Sequence, residues 1–259
     1  MTRALIFDCD GVLADTERDG HRVAFNTMFE EFGLPLRWDP ATYGERLKIA
    51  GGKERLRSLF TTDLPGYPGL PADAGAQAGL VAAWHKRKTE IYTELIRNGQ
   101  ITPRTGVRRL ARAASGAGWR LAVASTSAGP SVKAVLERAA GPDLAARFTV
   151  FAGDIVSQKK PAPDIYLAAL DALDCSPGST VVIEDSANGV ASAQAAGLPC
   201  MVTQSEYSRD EDLTGAGIIV SGLGDPGSDP VKVILNKTSV PIRDYVQLAH
   251  LTALMHNSC

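Results

Sequence analysis

Short apolar runs without strict alternation recur along the chain, once at its start and repeatedly after Pro103. Residues 4–9 form the first run, which is typical of a strand buried on both faces. Further strands are predicted at 120–125, 148–152, 181–183, 199–203 and 217–220, and helices at 107–114, 131–139, 163–172 and 189–196. Because strands and helices alternate, we expect βαβ units and a parallel sheet, arranged as a Rossmann-like three-layer α/β core.

The segment between the first strand and Pro103 shows helical periodicity and no convincing strand. A helix is predicted over 18–32 and several more over 35–100, with a loop rich in Pro, Gly and Ala at 62–79. We therefore expect a discontinuous α/β core of residues 1–15 and 101–259, with a helical domain of residues 16–100 inserted over the carboxyl ends of the strands. The final part, 222–259, predicts a strand at 231–235 and a helix at 243–255.

Composition narrows the class of protein. Hydrophobic residues make up 44% of the chain, charged residues 22%, and the net charge is −2. These values are typical of globular proteins and favour neither a nucleic-acid nor a membrane partner. The start of the chain lacks the pattern of a signal peptide, and the four cysteines fit neither a metal motif nor a disulfide framework. We expect a monomeric, cytoplasmic protein.

Two pairs of acids follow two predicted strands. Asp8 and Asp10 come after the first strand, at a spacing that puts both side chains on one side of an extended backbone. Glu184 and Asp185 follow the strand at 181–183. Each pair alone could be turn carboxylates or helix caps. Two such pairs at two strand ends favour a site for a hard divalent cation such as Mg²⁺ over a cap.

Hydroxyl groups follow a third predicted strand, and a lysine precedes a predicted helix. Ser125, Thr126 and Ser127 come after the strand at 120–125, where hydroxyls and backbone N–H groups suit a phosphate oxygen. Lys160 precedes Pro161, which we expect at the first position of a helix, with the ammonium at the mouth of the site. Alone, the hydroxyls would more often be caps and the lysine a solvated side chain.

The order of these motifs resembles the haloacid dehalogenase superfamily. The matching motifs are Asp-x-Asp-Gly from Asp8, a Ser after the second strand, Lys-Lys-Pro-x-Pro-Asp-Ile-Tyr at 159–166 and Glu-Asp-Ser-x-Asn-Gly at 184–189. The resemblance implies that Asp8 is a nucleophile, Asp10 a general acid and base, and the insertion a small helical cap. It also implies Mg²⁺ ligation by Asp8, the backbone carbonyl of Asp10, Asp185 and, through water, Glu184. Ser125 and Lys160 would hold the phosphoryl group.

Asp10 bears on the type of reaction. A dehalogenase has no use for an acid two residues after the nucleophile, and a phosphonate hydrolase is expected to have a small residue there. An alkoxide leaving group requires a proton, so Asp10 favours phosphate esters.

The inserted segment carries a candidate anion site. Gly51 and Gly52 at a predicted helix start free backbone N–H groups, and Lys53 and Arg55 add positive charge. These residues, with the stretches 15–17, 19–26 and 88–89, resemble the CbbY-like branch of the superfamily. That likeness implies a sugar bisphosphate such as xylulose 1,5-bisphosphate as substrate. The residues implied to contact it are Glu17, Tyr43, Gly52, Lys53 and Arg55.

Two alternatives stay open at this point. A sugar phosphomutase of the β-phosphoglucomutase kind would share the core residues and differ only in the acceptor of the phosphoryl group. A catalytically inactive binding or regulatory module on the same fold is the second alternative.

Overall fold

The chain divides into two compact units in a computed structural model, which describes residues 2–256. The core unit comprises the described residues of Met1–Asp15 and Thr102–Cys259, and the helical unit is Thr16–Ile101. None of the helices within residues 2–256 combines the length and the apolar character needed to cross a membrane.

A seven-stranded sheet organises the core unit, in the order β3-β2-β1-β4-β5-β6-β7. Every neighbouring pair is parallel except β6 and β7, which are antiparallel. The strands are β1 Ala4–Phe7, β2 Arg120–Ser125, β3 Phe148–Ala152, β4 Thr180–Glu184, β5 Cys200–Thr203, β6 Ile218–Val220 and β7 Val233–Asn236. The first strand therefore lies in the interior of the sheet, paired to β2 and β4.

Helices cover both faces of this sheet. They are α5 Val107–Gly116, α6 Gly129–Ala140, α7 Pro142–Ala145, α8 Asp164–Leu173, α9 Ala187–Ala195 and α10 Leu248–His256. Helices α8 and α9 pack on one face, where Ile6 and Val182 meet Tyr166 and Val190 in one apolar cluster. Helices α5, α6 and α10 form a second group that also contacts the strands. The predicted three-layer α/β fold with a mostly parallel sheet is confirmed.

The helical unit contains four α-helices: α1 Arg22–Glu31, α2 Pro40–Leu47, α3 Gly52–Thr62 and α4 Ala74–Arg97. A wider π-type turn at Glu17–His21 leads into α1, so the helix predicted over 18–32 is interrupted near its start. Phe25, Phe29 and Trp38 form an aromatic core, with ring centroids of Phe29 and Trp38 4.8 Å apart.

The loop predicted at 62–79 is too long. Helix α4 begins at Ala74, because the carboxylate of Asp73 accepts a hydrogen bond from Ala76 N at 2.9 Å and caps the helix. The glycines of this segment disfavour a helix, but an N-cap and several alanines outweigh them.

The terminal helix predicted over 243–255 starts later, at Leu248. Residues before it bond to a neighbouring loop instead of forming a helical turn: Val231 N donates to Asp244 O and Val246 N donates to Leu223 O, at 3.0 and 2.8 Å. The strand predicted at 231–235 is shifted to Val233–Asn236.

Pro161 is not at the first position of a helix, as the sequence indicated. Helix α8 begins at Asp164, three residues later, and the Lys160–Pro161 peptide bond is cis.

Candidate active site

The carboxyl ends of β1, β2 and β4 bring the predicted core residues together. Asp8 directly follows β1, and its N–H donates to Ile183 O of β4 at 2.8 Å. Ser125 is the last residue of β2, and Glu184 is the last residue of β4. Parallel strands end at the same edge of a sheet, so three segments distant in sequence converge on one site.

Lys160 is buried rather than exposed at the mouth of the site, with 6% of its surface accessible. Its Nζ donates to Asp8 Oδ1 at 2.7 Å, to Glu184 Oε1 at 2.6 Å and to Ala124 O at 2.9 Å. An ammonium group has three N–H donors, and all three have acceptors here. Lys160 therefore has a fixed position between two carboxylates.

Glu184 is completely buried. Its Oε1 accepts hydrogen bonds from Lys160 and from the hydroxyl of Tyr166, and its Oε2 lies 3.2 Å from Asp185 N. A Cβ on Gly189 would lie 2.0 Å from the Glu184 carboxyl, so only glycine leaves room for this carboxylate. Tyr166 is the last residue of the motif at 159–166, and the sequence assigned it no role. Its position two residues after the start of α8 gave no sign that its hydroxyl faces Glu184.

The turn after β1 is closely packed against Asp185. Gly11 has a φ of 77°, in the left-handed region that glycine adopts without strain. A Cβ at this position would lie 2.0 Å from Asp185 Oδ2. The close approach explains why glycine follows the Asp8–Asp10 pair.

Asp10 and the hydroxyl residues after β2 are connected. Ser127 Oγ donates to Asp10 Oδ2 at 2.5 Å, and Ser127 N donates to Ser125 Oγ at 3.1 Å. Ser125 is buried, whereas Thr126 and Ser127 are half-buried. Ser127, predicted as a substrate contact, thus also orients the carboxylate of Asp10. The N-cap of α9 is Ser186, which accepts from Gly189 N, and neither acid of the 184–185 pair has that role.

Three carboxylates of the core unit could hold a cation. Oxygen atoms of Asp8, Glu184 and Asp185 all lie within 4.8 Å of one another. Carboxylate oxygens are the ligands that hard divalent ions prefer, and the ammonium of Lys160 offsets only part of the negative charge. The donor set therefore fits the divalent metal that the sequence predicted.

Burial and the neighbouring charges shift the pKa of both central groups, Asp8 and Lys160. Burial, together with the charges of Glu184 and Asp10, raises the pKa of Asp8 to about 8, although Lys160 opposes the shift. Burial alone would lower the pKa of Lys160, but the charges of Asp8 and Glu184 raise it above its usual value. Lys160 is therefore protonated, and a second positive charge would favour the ionised form of Asp8.

In the helical unit, three of the predicted substrate residues form one chain of contacts. Tyr43 OH donates to Glu17 Oε2 at 2.5 Å, and Arg55 Nη1 donates to Tyr43 OH at 3.2 Å. Arg55 is buried and also donates to the carbonyls of Arg46 and Ile49, at 2.9 and 3.2 Å. These contacts place Arg55 as a support for Tyr43 and for the segment before α3.

Helix α3 begins at Gly52, as the sequence predicted, and Lys53 is its second residue. Both residues are half-buried. Since the first N–H groups of a helix lack intrahelical partners, this helix start and the Lys53 charge together suit an anion.

Comparison with known proteins decides the family. A family model for haloacid dehalogenase-like hydrolases matches residues 2–197. The chain belongs to the haloacid dehalogenase-like hydrolase family. The resemblance inferred from the motifs is confirmed.

Within these hydrolases, the chain is similar to CbbY proteins. It is 45% identical over 227 residues to the CBBY-like protein of Arabidopsis thaliana, a match that covers 87% of this chain and 70% of that protein. A crystal structure of CbbY from Rhodobacter sphaeroides in complex with phosphate superposes with a TM-score of 0.77 at 39% identity, covering 86% of this chain and 95% of that one. A mutant of that CbbY in complex with xylulose-(1,5)bisphosphate gives a TM-score of 0.76 at 40% identity over the same shares.

A further relative is the β-phosphoglucomutase of Mycobacterium bovis, 30% identical over 247 residues, covering 86% of this chain and 90% of that protein. Membership of the hydrolase family, together with a higher identity to CbbY proteins than to the mutase, identifies this hydrolase as a phosphatase.

Proposed function

We propose that the chain hydrolyses a small phosphate ester through an aspartyl-phosphate on Asp8. The observation that carries the proposal is the hydrogen bond from Lys160 to Asp8, beside a second acid at Asp10. In the first step an Asp8 carboxylate oxygen forms a bond to phosphorus, and the bond to the ester oxygen breaks. Asp10 gives its proton to that leaving oxygen, so an alcohol departs.

Water completes the reaction. Asp10, now ionised, accepts a proton from a water molecule whose oxygen forms a new bond to phosphorus. The bond between phosphorus and Asp8 breaks, inorganic phosphate leaves and the Asp8 carboxylate is regenerated. The contact from Ser127 Oγ to Asp10 supports this assignment, because it fixes the carboxylate that must serve both steps.

Asp8, Asp185, the backbone carbonyl of Asp10 and, through water, Glu184 would hold the Mg²⁺ ion. The bound ion supplies positive charge that favours ionised Asp8 and offsets the charge of the phosphoryl oxygens. Lys160 adds a fixed ammonium for the same charge, and Ser125, Thr126 and Ser127 supply hydroxyl and N–H donors. The buried bond from Tyr166 to Glu184 supports an additional role for Glu184, namely the orientation of Lys160.

A sugar bisphosphate is the proposed substrate class, with xylulose 1,5-bisphosphate as the specific candidate. The complex of Rhodobacter sphaeroides CbbY with this compound supports the choice, at 40% identity to this chain. In the helical unit, Gly52 and Lys53 would recognise the second phosphate, and Glu17 and Tyr43 the sugar hydroxyls. Arg55 would support Tyr43. The assignment of the helical unit as the specificity domain, and a cytosolic location, are parts of the same proposal.

A sugar phosphomutase is the second candidate, favoured by the 30% identity to a β-phosphoglucomutase. It would use the same Asp8 but transfer the phosphoryl group to a sugar hydroxyl instead of water. The two functions differ in their product: inorganic phosphate in one case, an isomeric sugar phosphate in the other.

One experiment tests the proposal against both alternatives. Purified protein with Mg²⁺ is incubated with a set of sugar monophosphates and bisphosphates, and inorganic phosphate and isomers are quantified. We expect phosphate release that Asp8→Asn abolishes. Isomerisation without net release would establish the mutase, and phosphate release by Asp8→Asn equal to that of wild type would contradict the nucleophile. Absence of both products across the set would favour the inactive module.

A further inference from the structure

Arg104 is a largely buried arginine whose side chain bonds to backbone carbonyls. Its guanidinium donates to Gly11 O, to Thr203 O at 3.2 Å, to Gln204 O at 2.9 Å and to Ser221 O at 2.8 Å. Its side chain is 11% exposed, and the Asp15 carboxylate 3.7 Å away is 67% exposed. Arginine keeps its charge when buried, so this position requires several carbonyl dipoles held in fixed places.

The four acceptors belong to three different strand ends. Gly11 directly follows Asp10, Thr203 is the last residue of β5, and Ser221 directly follows β6. Because β4 lies between β1 and β5, the guanidinium connects the turn after β1 to strands that do not pair with β1. Arg104 N also donates to Leu13 O at 3.0 Å, so the backbone of Arg104 is attached to the same turn.

Gly11 is consequently confined from two sides. Asp185 leaves no room for a Cβ at Gly11, and Arg104 holds its carbonyl oxygen. Arg104 thus holds the Gly11–Val12 peptide, and the Asp10–Gly11 peptide is held by Gly11 N, which donates to Ala14 O at 2.9 Å. Because both peptides of this turn are held, the direction of the Asp10 side chain depends on the Arg104 contact as well as on Ser127.

We propose that Arg104 is a positioning residue for Asp10: by holding the Gly11 carbonyl, it keeps the Asp10 carboxyl at the leaving oxygen of the substrate. The inference rests on the proposed phosphatase reaction, in which Asp10 protonates that oxygen. Arg104 acts through Gly11 and has no assigned contact with substrate.

Leaving-group dependence separates positioning of the acid from a general structural role. An alkyl phosphate requires a proton on its leaving oxygen, whereas p-nitrophenyl phosphate releases a stable anion without one. The ratio kcat/KM is measured for both, using the sugar phosphate that wild type hydrolyses fastest. For Arg104→Met we expect kcat/KM to fall about 30- to 100-fold on the sugar phosphate, the size of effect that a misplacement of about 1 Å produces, and less than about 5-fold on the aryl phosphate.

Arg109→Met is the matched control. Arg109 also bonds to backbone carbonyls of the core unit, Leu223 at 3.2 Å and Gly224 at 2.6 Å, but not to the turn after β1. We expect its kcat/KM values to stay within about 2-fold of wild type on both substrates, even where thermal stability falls as much as in Arg104→Met.

Equal losses on the two substrates, or wild-type activity of Arg104→Met on the sugar phosphate, would overturn the inference. If Arg104→Met does not fold, Arg104→Lys replaces it, since a single ammonium cannot reach all four carbonyls. Wild-type kcat/KM of Arg104→Lys on the sugar phosphate would then overturn the inference. Failure of the proposed function is recognised separately, by activity that survives in Asp8→Asn or by an Asp10→Asn variant that shows no leaving-group dependence.

Discussion

Lys160 and Asp8 are 152 residues apart in the sequence, yet Lys160 Nζ donates to Asp8 Oδ1 at 2.7 Å. The same ammonium holds Glu184, so it is the cation that two buried carboxylates share.

Lys160→Met should lower kcat by about 100- to 1,000-fold, because a fixed positive charge next to the nucleophile is lost. Steady-state phosphate release measures the effect. Lys159→Met is the control: Lys159 pairs with Asp154 at 3.1 Å, and that aspartate is 54% exposed. The kcat of the control should stay within about 2-fold of wild type: Lys159 is itself only 16% exposed, but the charge it pairs with is an exposed aspartate and not the nucleophile. A wild-type kcat in Lys160→Met would show that the Lys160 charge does not contribute to catalysis.

Gly189→Ala should destabilise the core unit and displace Glu184, since the added methyl group would lie 2.0 Å from its carboxyl. Overpacking of this kind costs about 1–3 kcal/mol, which corresponds to a Tm decrease of about 3–10 °C in a chain of this size. Differential scanning calorimetry and kcat are the measurements. Gly116→Ala, in open space at the end of α5, should keep or slightly raise Tm. An unchanged Tm for both variants would show that Glu184 moves without cost.

Stability without a divalent cation should depend on pH through Asp8. The pKa of this carboxyl is raised from 3.8 to about 8 by burial, so the folded protein retains a proton that the unfolded chain releases. The resulting stability is present at low pH and is lost as pH rises toward 8, with a slope of up to about 1.4 kcal/mol per pH unit.

Urea unfolding in EDTA between pH 5 and 8 tests this sign. The unfolding free energy of wild type minus that of Asp8→Asn should fall as pH rises, because only wild type carries the raised pKa, and Mg²⁺ should abolish the trend. Asp171→Asn is the control, at an exposed position of α8. Its unfolding free energy should change with pH in the same way as that of wild type. A rise with pH in the unfolding free energy of wild type minus that of Asp8→Asn would contradict the raised pKa.

Lys53→Ala should raise KM for a bisphosphate about 10-fold and lower kcat much less, because its proposed contact is with the phosphate that does not react. Monophosphates should be poorer substrates of wild type and should respond weakly to the substitution. Lys48→Ala is the control in the helical unit, since Lys48 is 72% exposed and pairs with Glu45. Equal turnover of monophosphates and bisphosphates by wild type would argue against the second anion site.

The sequence was most informative where strands are buried on both faces. Runs such as 181–183 have no polar alternation, and the acids that end them mark the edge of the sheet where the site lies. The fold and the convergence of Asp8, Lys160 and Glu184 could therefore be predicted from local pattern and motif order.

Contacts between distant segments could not be predicted in the same way. The start of α10 depends on the bonds that hold Asp244 and Val246 to another loop, and no local propensity encodes those partners. The burial of Lys160, the bond from Tyr166 to Glu184 and the bond from Ser127 to Asp10 are side-chain relationships of the same kind. The start of α4, in contrast, could have been predicted from local sequence, because Asp73 is a good N-cap residue. The glycines that follow it favoured a loop instead.

The interior place of β1 has a consequence for biosynthesis. This strand is made before its partners, which begin at Arg120 and Thr180, so its backbone and the adjacent Asp8 lack their native neighbours until β4 has been translated. At about 5–20 residues per second, that interval lasts about 9–36 seconds. During it the apolar β1 segment is a candidate for chaperone binding, and synonymous codons that slow translation between β2 and β4 would lengthen its exposure.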